Sequence, residues 1–415
     1  MSVFTSSSEA NAVTPPVVID GRAAWRSAHR DGVLSGLRVL DLSRVLAGPY
    51  AAQMLADHGA DVLKVEAPSG DETRGWGPPF DEDGISAYYG GMNHSKDNIC
   101  LDLRTEQGRE VLGHLLNAAD VVVENFKAGT LAAWGFDYES VLAPANPGMI
   151  YCRITGFGVD GPMGGLPGYD AVLQSFGGLM SVNGYPEGNP LRVGVPIVDI
   201  VAANLAFSGV LLAVLDRTRT GNGQLVDIAL LDAVISILHP HAANWTVSGV
   251  VPQRTGELHP TVVPYQVFAT GDGDLFISAA NDRQFASLAA VLGVPEIVTD
   301  PRFVANRDRH KHREELIALI APLIETWRRE ELGARLTEAG VPCSPVNTVA
   351  QALQSPQVRH RELFVERDGY RGIGVPISLG NAKTAAQTPA VKCGAHTVEV
   401  LAAMGYDAES IDTLA

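Results

Sequence analysis

Near the start of this chain a strand, a helix and a second strand follow in immediate succession, and that order restricts the fold more than any other feature. LRVLDLS (37–43) is β-rich, GPYAAQMLADH (48–58) reads as a helix, and ADVLKVEAP (60–68) is a second strand. Pro49 suits a first helical position, and Gly59 suits the left-handed stop after the helix. Strands joined through a helix pair in parallel with a right-handed crossover. The alternation continues with a helix over 105–117, the strand DVVVEN (120–125), a further short helix, and a strand over 149–154. Continuous apolar runs of this kind belong to strands buried on both faces. The expected fold class is α/β, with a Rossmann-like parallel-sheet large domain.

From about residue 225 the texture changes. VDIALLDAVISILHPHAANW reads as one long apolar helix ending at a Pro- and His-rich bend. YQVFATGDGDLFISAAN holds two strands joined at GDGD (271–274), a hairpin signal. Helices follow over 283–292, 311–329 and 330–339, which makes an inserted, smaller α+β domain. The expected division is a tail over 1–34, the large domain over 35–225, a linker helix over 226–250, the small domain over 251–340, and a return to the large domain over 341–415.

Composition narrows the function. Lys and Arg number 31 against 47 Asp and Glu, a net charge of −16, so general nucleic-acid binding, which needs a basic face, is not expected. The four cysteines are scattered, without zinc spacing, and read as thiols in a reducing cytosol. The apolar run VAANLAFSGVLLAVL (201–215) falls short of the ~20 residues that cross a bilayer, and carries Asn204 and Ser208. It reads as a buried helix. No basic-then-apolar leader opens the chain, and a soluble cytoplasmic protein without membrane attachment is expected.

A dinucleotide site would need GxGxxG between the first strand and helix, where bare glycines admit a pyrophosphate. The sequence there is DLSRVLAGPY, with Arg44, Val45 and Leu46 in the way, and no Walker loop occurs anywhere. What the strand ends offer instead is an apolar loop at a helix start, GDETRGWGPPF (70–80) and ENFKAG (124–129). Peptide N–H groups, apolar surface, Arg74 and Lys127 together suit a ligand that is part apolar and part anionic. Arg74 also reads as an ordinary surface partner of Asp71, and Lys127 as a solvated lysine.

DLSRVLAGPYAAQMLADHGADVLKVEAPSGDETRGWGPPF, NHSKDNICLDL, ADVVVENFKAGTL, RITGFGVDGP and GYDAVLQSFGGLMSVNG, in that order, resemble the class III (family III) CoA-transferases, a family that includes formyl-CoA transferase, carnitine CoA-transferase and the 2-methylacyl-CoA racemases. The likeness runs from about residue 37 to the C-terminus. TGELHPTVVPYQVFATGDGDLFISAANDRQF, GDETRGWGPPF and HAAN (241–244) are most similar to the succinyl-CoA:glutarate (hydroxymethylglutarate) branch.

The resemblance implies an enzyme without metal or tightly bound cofactor, with coenzyme A and acyl-CoA as substrates and a small carboxylic acid as acceptor. An aspartate attacks the donor thioester, and a covalent aspartyl species carries the activation to the acceptor. By motif that nucleophile is Asp199 in PLRVGVPIVDIVAANLA. Read from the residues alone, Asp199 follows the strand-like VPIV and also suits a helix N-cap. Asp170 in GYDAVLQ is implied as a supporting carboxylate, and it too suits a cap. CoA contacts are implied at Val45, Leu46, Ala47, Leu101, Arg104, Asn125, Phe126 and Lys127, with Arg74 added from its loop.

Leu46, Ala67, Ala133 and Pro167 depart from the formyl-CoA transferase pattern, so formyl or oxalyl specificity is not implied. Racemases of the family place histidine where this chain has Tyr169. A phenol with a reference pKa of ~10 is a poor base near neutrality, which leaves racemase or isomerase chemistry as the alternative. Arg74, Arg192 and Arg254, with His259 and Tyr265, are candidates for an acceptor carboxylate. The resemblance also implies an interlocked homodimer.

Overall fold

The computed structural model describes residues 19–25 and 31–414. Their contacts divide into two units. The first comprises the described residues up to Tyr169, Val198–Ala233 and the chain from Val365 onward; the second comprises Asp170–Ile197 and Val234–Phe364.

The first unit is built on six strands: β1 (Arg38–Asp41), β2 (Asp61–Glu66), β3 (Asp97–Cys100), β4 (Val121–Glu124), β5 (Ile150–Thr155) and β6 (Leu225–Ala229). All neighbours pair in parallel, in the order β3-β2-β1-β4-β5-β6. This is the doubly wound order, in which the chain winds outward from β1 and then reverses across it to β4. The expected α/β sheet is present, and its central strands are buried as their apolar runs require. Helix α1 (Ala47–Asp57) covers the sheet, with nearly every residue buried. The helix Glu106–Ala118 is capped by Thr105, whose hydroxyl accepts from the Gly108 N–H at 3.0 Å.

Several expectations need correction. Part of the expected tail is packed: Ala24 and Trp25 are buried, and the Trp25 indole donates to the Val39 carbonyl at 3.2 Å. Residues 1–18 and 26–30 of that tail lie outside the described residues. The linker helix over 226–250 is not one helix. Its first residues are β6, followed by the separate helices Leu230–Ser236 and His241–Ser248. VPIV is not a strand either, since the helix Ile197–Thr220 has already begun within it.

That helix is 24 residues long and, by length and composition alone, apolar enough to cross a bilayer, which the shorter run of 201–215 concealed. Ala202, Ala203, Ala206, Phe207, Val210 and Ala213 are buried along one face of it. A one-sided pattern of small residues is how a core helix packs closely.

Strand β3, at the sheet edge, is stitched to the C-terminal segment. The His396 N–H donates to the Asn98 carbonyl, the Gly394 N–H to Asn98 Oδ1, and the Cys100 N–H to Thr397 Oγ1, at 2.9, 2.7 and 2.9 Å. Those bonds cover an edge that would otherwise be open to another chain.

The second unit is α+β. Strands β7 (Tyr265–Thr270) and β8 (Gly273–Ser278) form the expected antiparallel hairpin, and β9 (Cys343–Pro345) pairs with β8. Helices Asp282–Val291, Arg313–Glu325 and Arg329–Glu338 close over them. Phe268, Ile277, Phe285, Phe303, Ile320 and Leu336 are at the centre of this unit's core. Arg309, fully buried, donates to the Val263 and Phe303 carbonyls and to Asp282.

Candidate active site

In an open parallel sheet, ligands collect outside the carboxyl ends of the strands where the strand order reverses. Here that point lies between β1 and β4. The loops following β1, β4 and β5 enclose a cavity of about 310 Å³, walled by Val45–Ala47, by Asn125–Lys127, by Ile154–Gly156, by 165–169, and by Asp199. The one carboxylate of the Ile197–Thr220 helix in its first turn, Asp199, is 9% exposed and faces this space. It is the third residue of the helix, so it is not the N-cap.

A second cavity of about 410 Å³ shares Arg44, Phe126 and Lys127 with the first, and continues to Arg104 and Trp134. The two spaces suit an elongated ligand with an anionic end and a reacting end. Arg104 is exposed and forms a two-point pair with Asp102, the closest contact at 2.7 Å. The Arg44 guanidinium lies over the Phe126 ring, 5.9 Å from its centroid.

The structure therefore gathers Val45, Leu46, Ala47, Asn125, Phe126, Lys127 and Asp199 in one cavity and Arg104 in the next. Two expected contacts are used elsewhere. Leu101 is fully buried in the core under the sheet. Among the described contacts the Arg74 guanidinium forms no ion pair with Asp71, and Arg74 does not border these cavities. It donates to both Glu66 carboxylate oxygens, to the Tyr89 hydroxyl at 2.6 Å and to the Val391 carbonyl. Burial alone would raise Glu66, but Arg74, Lys64 and Tyr89 hold its carboxyl down to about 2. Asp170 opens the helix Asp170–Phe176 in the second unit, where its carboxylate accepts from Gln174 Nε2 at 2.7 Å; Gln174 Oε1 accepts from the Val193 N–H at 2.8 Å. Arg254 is committed to the Tyr185, Pro186 and Gly188 carbonyls.

Sequence reasoning passed over Arg44, treated only as an obstacle to a dinucleotide, though its place in the β1 loop was the available signal. It also missed the supports beneath the loops. Glu124 is buried, and it accepts from the Phe126 N–H at 2.7 Å and the Tyr151 hydroxyl at 3.2 Å, which turns the chain after β4. Burial pushes its carboxyl up to about 7 despite those donors. Under the β1 loop, Lys96 donates to Asp41 at 2.8 Å, to the Pro49 carbonyl and to Asn93, while Lys64 donates to the Ser43 carbonyl at 2.7 Å.

Gly156 and Gly168 meet at the cavity rim. A Cβ on Gly156 would lie 2.6 Å from the Gly168 nitrogen. Gly156→Ala is accordingly expected to displace the 165–169 wall and to lower kcat/KM by about tenfold or more, read by steady-state kinetics. Tyr169, 57% exposed, is in that wall, and among the described residues lining this cavity there is no histidine.

The family model of CoA-transferase family III matches residues 34–397. The succinate–glutarate CoA-transferase of Agrobacterium fabrum is 41% identical over 385 residues, covering 90% of this chain and 96% of its own. The human succinyl-CoA:glutarate CoA-transferase is 35% identical over 410 residues, covering 95% and 92%. Among solved structures, a CAIB/BAIF family protein from Brucella suis superposes with a TM-score of 0.83 at 41% identity, covering 90% of this chain and all of that one. This chain belongs to the family III CoA-transferases, and it is a CoA-transferase enzyme.

Proposed function

We propose that the enzyme moves CoA from succinyl-CoA to a dicarboxylic or closely related acid through covalent intermediates on Asp199. The observation that carries this is Asp199, which of the two carboxylates lining the cavity, the other being the exposed Glu72, is the one nine-tenths buried at a helix start; the cavity shares lining with a second that bears Arg104 and Lys127. The nucleotide end of CoA would take the larger cavity and the thioester the smaller.

In this reading the Asp199 carboxylate attacks the succinyl thioester carbonyl, and the C–S bond breaks to give a mixed anhydride and CoA thiolate. The thiolate attacks the aspartyl carbonyl, which releases succinate and leaves an aspartyl-CoA thioester. The acceptor carboxylate displaces the thiolate to form a second anhydride. Thiolate attack on the acceptor carbonyl then yields the new acyl-CoA and restores Asp199. Asp170 acts as a supporting carboxylate. The names of the relatives support succinyl-CoA and a dicarboxylate.

The enzyme works as a soluble cytoplasmic homodimer. Support comes from the acidic composition and from Trp245, Val247, Val250 and Val251, each more than half exposed within one short stretch of a single chain.

The test incubates succinyl-CoA with a panel of dicarboxylates and identifies new thioesters by mass. Glutarate or a close analogue is expected to accept CoA. No new thioester with any dicarboxylate, beside transfer to monocarboxylates, would refute the acceptor class.

A further inference from the structure

We propose that Asp71 is a positioning residue for the transfer reaction: it holds Val45 in a left-handed backbone conformation and thereby fixes the wall that Val45, Leu46 and Ala47 present to the Asp199 cavity. The proposal rests on the reading of Asp199 as nucleophile.

Val45 has φ +70°, a region that β-branched residues avoid because Cβ crowds the backbone carbonyl. Such a conformation persists only where the surroundings over-determine it, and residues held this way cluster at functional sites. The surroundings here are specific. Three consecutive residues of the loop are each gripped by a side chain from a different element. Lys64 of β2 donates to the Ser43 carbonyl at 2.7 Å. Asn125, after β4, accepts from the Arg44 N–H and donates to the Arg44 carbonyl, both at 2.8 Å. Asp71, after β2, accepts the Val45 N–H on both carboxylate oxygens, at 3.2 and 3.4 Å.

Asp71 is itself locked. It is 2% exposed, accepts from the Thr73 N–H and hydroxyl, donates its own N–H to Glu66, and has the Lys64 ammonium 3.7 Å away. A carboxylate held this firmly sets the direction of the Val45 amide, and hence the chain entering α1. Among the described contacts, Leu46 at the helix N-cap has no side-chain cap of its own. The loop is therefore held from neighbouring elements rather than by local capping, and the grip on the left-handed residue itself is that of Asp71.

Asp71 also borders the 410 Å³ cavity, so direct contact with CoA must be separated from positioning. Asp71→Asn is expected to lower kcat about 10- to 100-fold while KM for succinyl-CoA changes less than about threefold. Glycine at 45 tolerates the left-handed conformation and alanine does not. Asp71→Asn with Val45→Gly is therefore expected to recover several-fold in kcat over Asp71→Asn alone, and Asp71→Asn with Val45→Ala is not.

Unchanged kcat in Asp71→Asn, a KM effect alone, or equal behaviour of the glycine and alanine doubles would each overturn the proposal. If Asp71→Asn does not fold, melting temperatures with Asp71 intact decide. Val45→Gly is expected to melt above Val45→Ala, and the reverse order would show that the position carries no strain. Asp199→Asn runs in the same assay. Full activity there sinks the nucleophile reading itself, whereas loss there with no effect at Asp71 sinks only the positioning role.

Discussion

Asparagine at position 199 is expected to lower kcat by at least about 10⁴-fold, the scale on which nucleophile replacements act in covalent catalysis. An amide of nearly the same shape fills the same place but cannot accept an acyl group and pass it on. The stability change should be small by comparison. Asp199 is in the first turn of its helix, where a negative charge contributes about 0.3–1 kcal/mol through the helix dipole. The prediction is therefore a near-total loss of turnover in a protein that still melts within a few degrees of the parent and still binds CoA. Steady-state kinetics, a thermal melt and calorimetric CoA binding read the three. Incubating the parent with succinyl-CoA and hydroxylamine should in addition leave a hydroxamate on the peptide carrying Asp199. A variant that turns over within tenfold of the parent would remove Asp199 from the mechanism.

The framework of that site was legible because its strands are short apolar runs separated by helices with clear stops. β1, β2, β4 and β5 each declare themselves, and Gly59, at φ +100°, ends α1 as a glycine stop should. The rule that ligands sit at strand ends then pointed to the VLAG loop and to the loops over 70–80 and 124–129, and the family resemblance picked out 45–47 and 125–127 among them. β3 did not declare itself, because DNIC is polar at an edge, and its order comes from distant partners: Asn98 donates to Glu66 and accepts from Gly394. β6 was hidden because no glycine, proline or asparagine separates LVDIA from the helix that follows, and periodicity cannot divide a buried strand from a buried helix. The commitment of Arg74 was equally hidden, since Glu66 and Tyr89 meet it only through the fold. The resemblance implied a CoA contact at Leu101, but that side chain falls on the core side of its turn.

The least legible part, the ionic support beneath the β1 loop, yields the largest expected effect on stability. Asp41 is fully buried and accepts from Lys96 at 2.8 Å, from the Ser43 N–H at 3.0 Å and from the Ser43 hydroxyl, with the Lys64 ammonium 3.7 Å away. Both lysines are buried as well. Burial would raise Asp41, and the two ammonium groups hold it below its ordinary value. Burial pulls Lys96 down to about 8, and Asp41 opposes that fall.

Asp41→Asn leaves two buried cations around a neutral amide. Breaking a buried pair on one side costs about 3–5 kcal/mol, far more than the pair contributes as a whole. The sign of the pH dependence follows from Lys96. Its folded pKa lies below its unfolded value of 10.5, so its burial penalty is fully present below about pH 8 and is relieved as pH rises from there toward 10.5. Without Asp41 that folded pKa falls further, so the penalty is larger at neutrality and its relief begins at lower pH. The destabilisation of Asp41→Asn, measured by denaturant unfolding, should accordingly be greatest near pH 6 and shrink toward pH 9. Adding Lys96→Met to Asp41→Asn removes the orphaned ammonium and should restore part of the loss, a coupling that a double-mutant cycle measures. A loss independent of pH, or a double variant less stable than Asp41→Asn alone, would mean that packing and not charge holds this corner of the sheet.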